Sequence, residues 1–170
     1  SPSLLSDVFS PASRFGDLVF MAGQNSVDPR TSQPIEGDVQ AHIRRACENL
    51  KLALEDAGTS IDNILAMRFF LRDMEDYPTL AKIRREYFPK KPPTTTLAVA
   101  GIWPENKGCV EVDCIAVRDQ RTERIEIVTA KNSPSLLSDV FSPASRFGDL
   151  VFMAGQISVD PRTSQPIEGD

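Results

Sequence analysis

Side chains able to do chemistry are sparse in this 170-residue sequence. A single histidine, His42, rules out every multi-histidine metal site and leaves no Ser-His-Asp or Cys-His constellation to assemble. It flanks the apolar stripe of a helical pattern, so it reads as a half-exposed structural residue. Cys47, Cys109 and Cys114 are odd in number and lack CxxC spacing, which predicts free thiols in a reducing cytoplasm. Cys109 and Cys114 stand five apart on a strand pattern and should face opposite sides, so they do not make a metal pair. No glycine-rich phosphate loop is present, and neither a metal nor a cofactor is expected. Thr94-Thr95-Thr96, directly behind Pro92-Pro93, is a run of strand-favouring hydroxyls.

The elements that must position these residues belong to an ordinary globular composition, 41% hydrophobic and 25% charged. A net charge of −5 argues against a duplex nucleic-acid partner, which needs a basic face to displace counterions. The sequence has no membrane-length apolar run and no secretory leader pattern, so no membrane partner is expected.

Residues 1–38 recur as 133–170, with one difference, Asn25 against Ile157. So close a match reads as an engineered or very recent duplication, or a joining artefact, rather than a solenoid. Each copy carries a net charge of −3, which leaves −2 for the unique 132-residue unit. Residues 1–132 and 39–170 are then two ways of completing one domain, with the duplicate segments competing for one slot. An apolar residue suits the end of a buried strand, so the Ile157 copy is expected to take it.

Along the unit, 18–21 is a short apolar run bounded by Gly16-Asp17 and Gly23-Gln24 and predicts a buried strand. Residues 39–57 follow the helical period, with Asp38 as N-cap and Gly58 as stop. The second half of 61–71 reads as a strand. Residues 76–88 read as a second helix with Tyr77, Leu80, Ile83, Tyr87 and Phe88 inward and Lys82, Arg84 and Arg85 outward, ended by Pro89. Residues 94–100 and 109–117 alternate as strands, joined by a loop through Trp103, and 125–128 is a further short strand. The simple solution is an α+β fold with a mixed β-sheet and two helices on one face.

Gly16-Asp17-Leu18-Val19-Phe20-Met21-Ala22-Gly23-Gln24 and Val110-Glu111-Val112-Asp113-Cys114-Ile115-Ala116-Val117 resemble a GDLVFVSGQ strand and the closing VEIEAIAV strand of a known family. Asp73-Met74-Glu75-Asp76-Tyr77 and Glu86-Tyr87-Phe88-Pro89 fit its second helix. The family is the RidA/YjgF group of reactive-intermediate deaminases, and the resemblance spans essentially the whole unit. It implies a chorismate-mutase-like (YjgF-type) fold and a homotrimer with a small-molecule cleft at each subunit interface. Family order begins at the strand matching 125–128, so the chain reads as circularly rearranged, with possible segment exchange between copies.

The resemblance further implies hydrolysis of imines or enamines to ketones and ammonia. At the position of the family's carboxylate-binding Arg stands Thr95, and a hydroxyl cannot offer the two parallel bonds of a guanidinium. Ala22 (Ala154) replaces the family's Ser, Phe9 (Phe141) its Tyr, and Leu97 its modified Cys. Glu111 matches the retained acid and is expected to orient or deprotonate water. The implied cleft is shaped by Thr95, Thr96, Leu97, Phe88, Phe9 and the Gly23-Gln24 turn, and in the second copy by Phe141, Gly155, Gln156 and Ile157. The expectation is a hydrolase with specificity shifted away from 2-imino acids. The alternative is a non-catalytic binding or scaffold protein. A ribonuclease or translation inhibitor, the third reading, is disfavoured by the −2 unit charge and the lone His42.

Overall fold

The computed structural model describes residues 9–90, 92–102, 109–120, 125–128, 141–160, 163 and 165–167. The Trp103 loop lies outside the described residues.

In chain order the first unit comprises β1 (Ala12–Phe15), β2 (Leu18–Asn25), α1 (Val39–Asp56), β3 (Ile64–Leu71), α2 (Tyr77–Tyr87), β4 (Thr94–Val99) and β5 (Val110–Val117). Its sheet runs β1-β2-β5-β3-β4. Only the β3–β4 pair is parallel among these pairings, because α2 carries the chain across between those strands. Both helices lie on one face. Val19, Met21, Phe69, Leu71, Val110 and Val112 point from the sheet into the same core as Ile43, Leu50 and Leu54 of α1 and Leu80 and Ile83 of α2.

Local chemistry explains the boundaries. Asp38 caps α1 by accepting from the Ala41 N–H at 2.9 Å, and Gly58 takes φ +75° just beyond its end. β2 runs further than the expected 18–21, as far as Asn25, through a register shift between Met21 and Gln24. His42 is buried rather than half-exposed, with Ser26 Oγ 2.7 Å from its Nδ1, and its role is structural. Cys109 leans on the same core as Cys114, so the two thiols do not diverge as strand alternation predicts.

The largest departure is Arg84. Expected on the outer face of α2, it is 1% exposed and packs inward. Its spacing explains this: Tyr77, Leu80, Ala81, Arg84 and Phe88 form one helical stripe, and the residue type had outweighed the period.

The duplicated segment has its own seat. β6 (Ile125–Val128), β7 (Ala144–Phe147) and β8 (Leu150–Met153) form a second antiparallel sheet, β6-β7-β8. β7–β8 repeats the β1–β2 hairpin, with Gly16 and Gly148 at φ +59° and +57° in the two turns. This sheet lies on the helix-free face of the first, where Phe147 meets Leu65 and Val117, flanked by Leu18, Ile115, Ile125 and Phe152. The Asn25 copy, not the Ile157 copy, pairs with β5, and Ile157 is exposed. Chain connection favours that choice: the first copy joins α1 through residues 26–38, a shorter stretch than the one separating β5 from β7, so seating it closes the smaller loop.

Candidate functional site

Glu111 stands on the helix-free face of β5, opposite Asn25 of β2 and Phe70 of β3. Its carboxylate lies over Gly23, where the register shift of β2 brings the backbone close. A Cβ at position 23 would fall 1.9 Å from Oε1 and 2.8 Å from Cδ, so only glycine admits the carboxylate there. The residue is half-buried. Desolvation raises its carboxyl above the ordinary value of 4.5, and the neighbouring Asp113 raises it further.

On the same face Arg68 of β3 lies between Thr96 and Asp113 in register. Its Nε and Nη2 donate to the two Asp113 oxygens at 2.9 and 2.6 Å, a bidentate pair that raises the already high Arg68 value. The guanidinium also sits 5.9 Å from the Phe70 ring centre. This pair was missed from sequence, although strand alternation places Arg68, Asp113 and Glu111 on one face.

Thr95 projects to the opposite, helix-covered face. Its hydroxyl donates to the Pro93 carbonyl at 3.2 Å and accepts from Arg84 Nη2 at 2.7 Å. The Arg84 guanidinium is also stacked against Phe69, Phe88 and Phe141, with centroid distances of 5.6, 5.6 and 4.6 Å. Burial lowers its pKa to about 10, which leaves it charged at neutral pH. Phe88 and Leu97, both expected in the cleft, pack on the core instead.

The second copy closes this edge. Gly155 donates its N–H to the Thr95 carbonyl at 3.2 Å, and a Cβ there would lie 3.2 Å from Thr96 Cγ2. Phe141 stacks on Tyr77 at 6.4 Å. Gln156 and Ile157 are exposed beside it, with Gln156 Nε2 turned back to the Ala154 carbonyl at 3.2 Å. Gln24 makes the matching 3.2 Å bond to the Ala22 carbonyl, and Phe9 is exposed.

The expected cleft residues therefore form two half-sites. Glu111, Gly23 and Asn25 make one. Thr95, Thr96 and Arg84, with Phe141 and Gly155, make the other. Phe70 stands between Glu111 and Ala98, so Glu111 lies two strands from β4 and about 12 Å from Thr96, while Thr95 faces the other side of the sheet.

The chain matches the family model described as Endoribonuclease L-PSP over residues 5–118. TdcF of Escherichia coli is 33% identical over 107 residues, covering 61% of this chain and 81% of TdcF. A 2-iminobutanoate/2-iminopropanoate deaminase of Dermatophagoides farinae is 27% identical over 110 residues, covering 64% and 84%. The crystal structure of Escherichia coli TdcF with bound serine superposes with a TM-score of 0.59 at 30% identity, covering 65% of this chain and 87% of that one.

Proposed function

This chain belongs to the endoribonuclease L-PSP family, the RidA/YjgF group, and on that premise we propose that it hydrolyses a small imine or enamine, with Glu111 as the water-handling base. The observation that carries this reading is the half-buried Glu111 carboxylate laid over Gly23, with its proton affinity raised by burial. A raised carboxylate is the stronger base. It takes a proton from water as the oxygen attacks the C=N carbon and passes it to the imine nitrogen, giving the carbinolamine, then takes the carbinolamine hydroxyl proton and delivers it to the amino nitrogen. The C–N bond breaks, ammonia leaves, and the carbon retains oxygen as a ketone.

The substrate is neutral rather than a 2-imino acid. Arg84 is shut behind aromatic rings, and the charge of the exposed Arg68 is offset by both Asp113 oxygens, so neither guanidinium offers an uncompensated charge to an acidic substrate. The distance of Glu111 from β4 favours a homotrimer in which a neighbouring copy completes the cleft over Glu111.

The test is ammonia release from acidic and neutral imines, with wild type and Glu111→Gln side by side. Turnover of neutral substrates should fall by roughly a hundredfold or more in the variant. Silence across the panel from a folded wild type would overturn the hydrolase reading and leave a binding protein. Preference for the acidic imines would overturn the specificity.

A further inference from the structure

The seat of Glu111 is an irregular stretch of β2, and the sheet alone does not fix it. Between the Met21–Cys114 and Gln24–Val112 pairs β2 uses three residues where β5 uses two, so Gly23 lies in a bulge outside the regular ladder. Beyond the bulge Gln24 and Asn25 pair with β5, and Asn25 ends the strand. The helix on the other face supplies a further restraint. Asn49 is 6% exposed, on the face of α1 that also buries Ile43, Ala46, Leu50 and Leu54. Its Nδ2 donates to the Asn25 carbonyl at 2.9 Å and to the Val27 carbonyl at 2.8 Å, so both amide hydrogens grip backbone two residues apart. Between them Ser26 Oγ lies 2.7 Å from Nδ1 of the structural His42, one more tie to the same helix. The Asn49 amide oxygen is buried with no hydrogen-bond partner among the described residues. An acceptor buried that way lowers stability, so the contribution of this amide lies in what its N–H groups hold.

We propose that Asn49 is a positioning residue for Glu111: by fixing the Asn25 and Val27 carbonyls, it holds the bulged Gly23 backbone under the Glu111 carboxylate from the far side of the sheet. The inference rests on the proposed role of Glu111 as base and names what keeps that base desolvated. The charged groups beside the carboxylate are Asp113 of its own strand and Arg68 of β3, which Asp113 holds, while β2 presents the uncharged Gly23 and Asn25. Asn49 lies on the opposite side of the sheet from both charged groups, so replacing it reaches the carboxyl through β2. With the segment released, water reaches the carboxylate and its proton affinity relaxes toward the ordinary value of 4.5. The weaker base moves the proton more slowly, so kcat falls while substrate contacts elsewhere in the cleft hold KM.

The experiment follows the Glu111 side-chain carboxyl by NMR against pH, in the full chain without substrate, for wild type, Asn49→Leu and Asn63→Leu. Asn63 is an equally buried asparagine at the opposite end of β3 from Phe70, bonded to Asp119 and Ser60, and it controls for lost stability. In Asn49→Leu the Glu111 midpoint should move down toward 4.5. In Asn63→Leu it should keep the wild-type value even where the urea midpoint falls as far. With an imine substrate, the acid limb of the kcat profile should move with the carboxyl. In Asn49→Leu kcat should fall by about tenfold to a hundredfold, with KM within about threefold of wild type. If Asn49→Leu does not fold, Asn49→Ser, whose hydroxyl is too short to span both carbonyls, replaces it. A folded Asn49 variant with an unmoved Glu111 midpoint would overturn the proposal, and so would an equal move in Asn63→Leu. A wild type that turns over no imine sinks the hydrolase reading, while the titration still decides whether Asn49 holds the carboxyl in place.

Discussion

Glu111 is raised by burial, and the consequence for stability has a definite sign. Between the ordinary value of 4.5 and its raised value, the folded chain holds a proton that the unfolded chain has released. Stability therefore falls as pH rises through that window and stays reduced above it. Glu111→Gln removes the loss: its urea midpoint should exceed wild type at pH 7 and converge with it below about pH 4. Equal midpoints at both pH values would show that the carboxyl is not raised. Asp113 acts on the same site in two ways, raising Glu111 and holding Arg68. Asp113→Asn should lower the Glu111 value and release the guanidinium, so KM for acidic imines should fall relative to neutral ones. A KM ratio unmoved by the change would remove Arg68 from the specificity account. Arg84 sets a different balance. Arg84→Ala loses the Thr95 bond and leaves a cavity among three rings, costing about 3 kcal/mol in urea unfolding. Arg84→Met keeps most of the volume and sheds a buried charge, so its cost should be within about 1 kcal/mol of zero.

At the scale of elements, the helices were legible because their signals are local. α1 follows an apolar stripe, starts at Asp38 and stops before Gly58, and Asp38→Ala should cost about 1 kcal/mol by leaving the Ala41 N–H without its cap. α2 was legible in extent but not in facing, since an arginine at an inward position becomes intelligible only with its aromatic stack and Thr95 in view. The β2 irregularity was not legible either. It depends on the pairing with β5 and on Glu111, a residue distant in sequence. Gly23→Ala tests it: the obstructing atoms are the end of a flexible side chain, so stability should change by less than about 1 kcal/mol. Activity should still fall by about a hundredfold as the carboxylate is displaced. An active Gly23→Ala would separate Glu111 from catalysis.

At the scale of the molecule, the thiols report cooperative opening. Burial pushes Cys47 up to about 12 and Cys114 higher still, while Cys109 is only half-buried and rises to about 11. A thiol reagent at neutral pH should therefore label Cys109 first. Cys47 and Cys114 should follow together at a rate that climbs with urea, whereas early labelling of either would show local opening of the core. The duplicated hairpin shows where sequence stops being sufficient. The sequence by itself determined what is local: the 18–21 strand and its Gly16-Asp17 boundary, α1 and its cap, and the family with its two helices on one sheet face. It did not determine which face of the hairpin is buried. Alternation puts apolar side chains on both faces, Val19 and Met21 on one and Phe20 on the other, and strand periodicity cannot choose between them. Tertiary structure decided that by reach. The first copy joins α1 through residues 26–38 and closes the helix-covered core, while its near-identical twin turns the other face to Leu65 and Val117. Burial belongs to the neighbours a segment can reach, so identical residues end exposed in one seat and buried in the other.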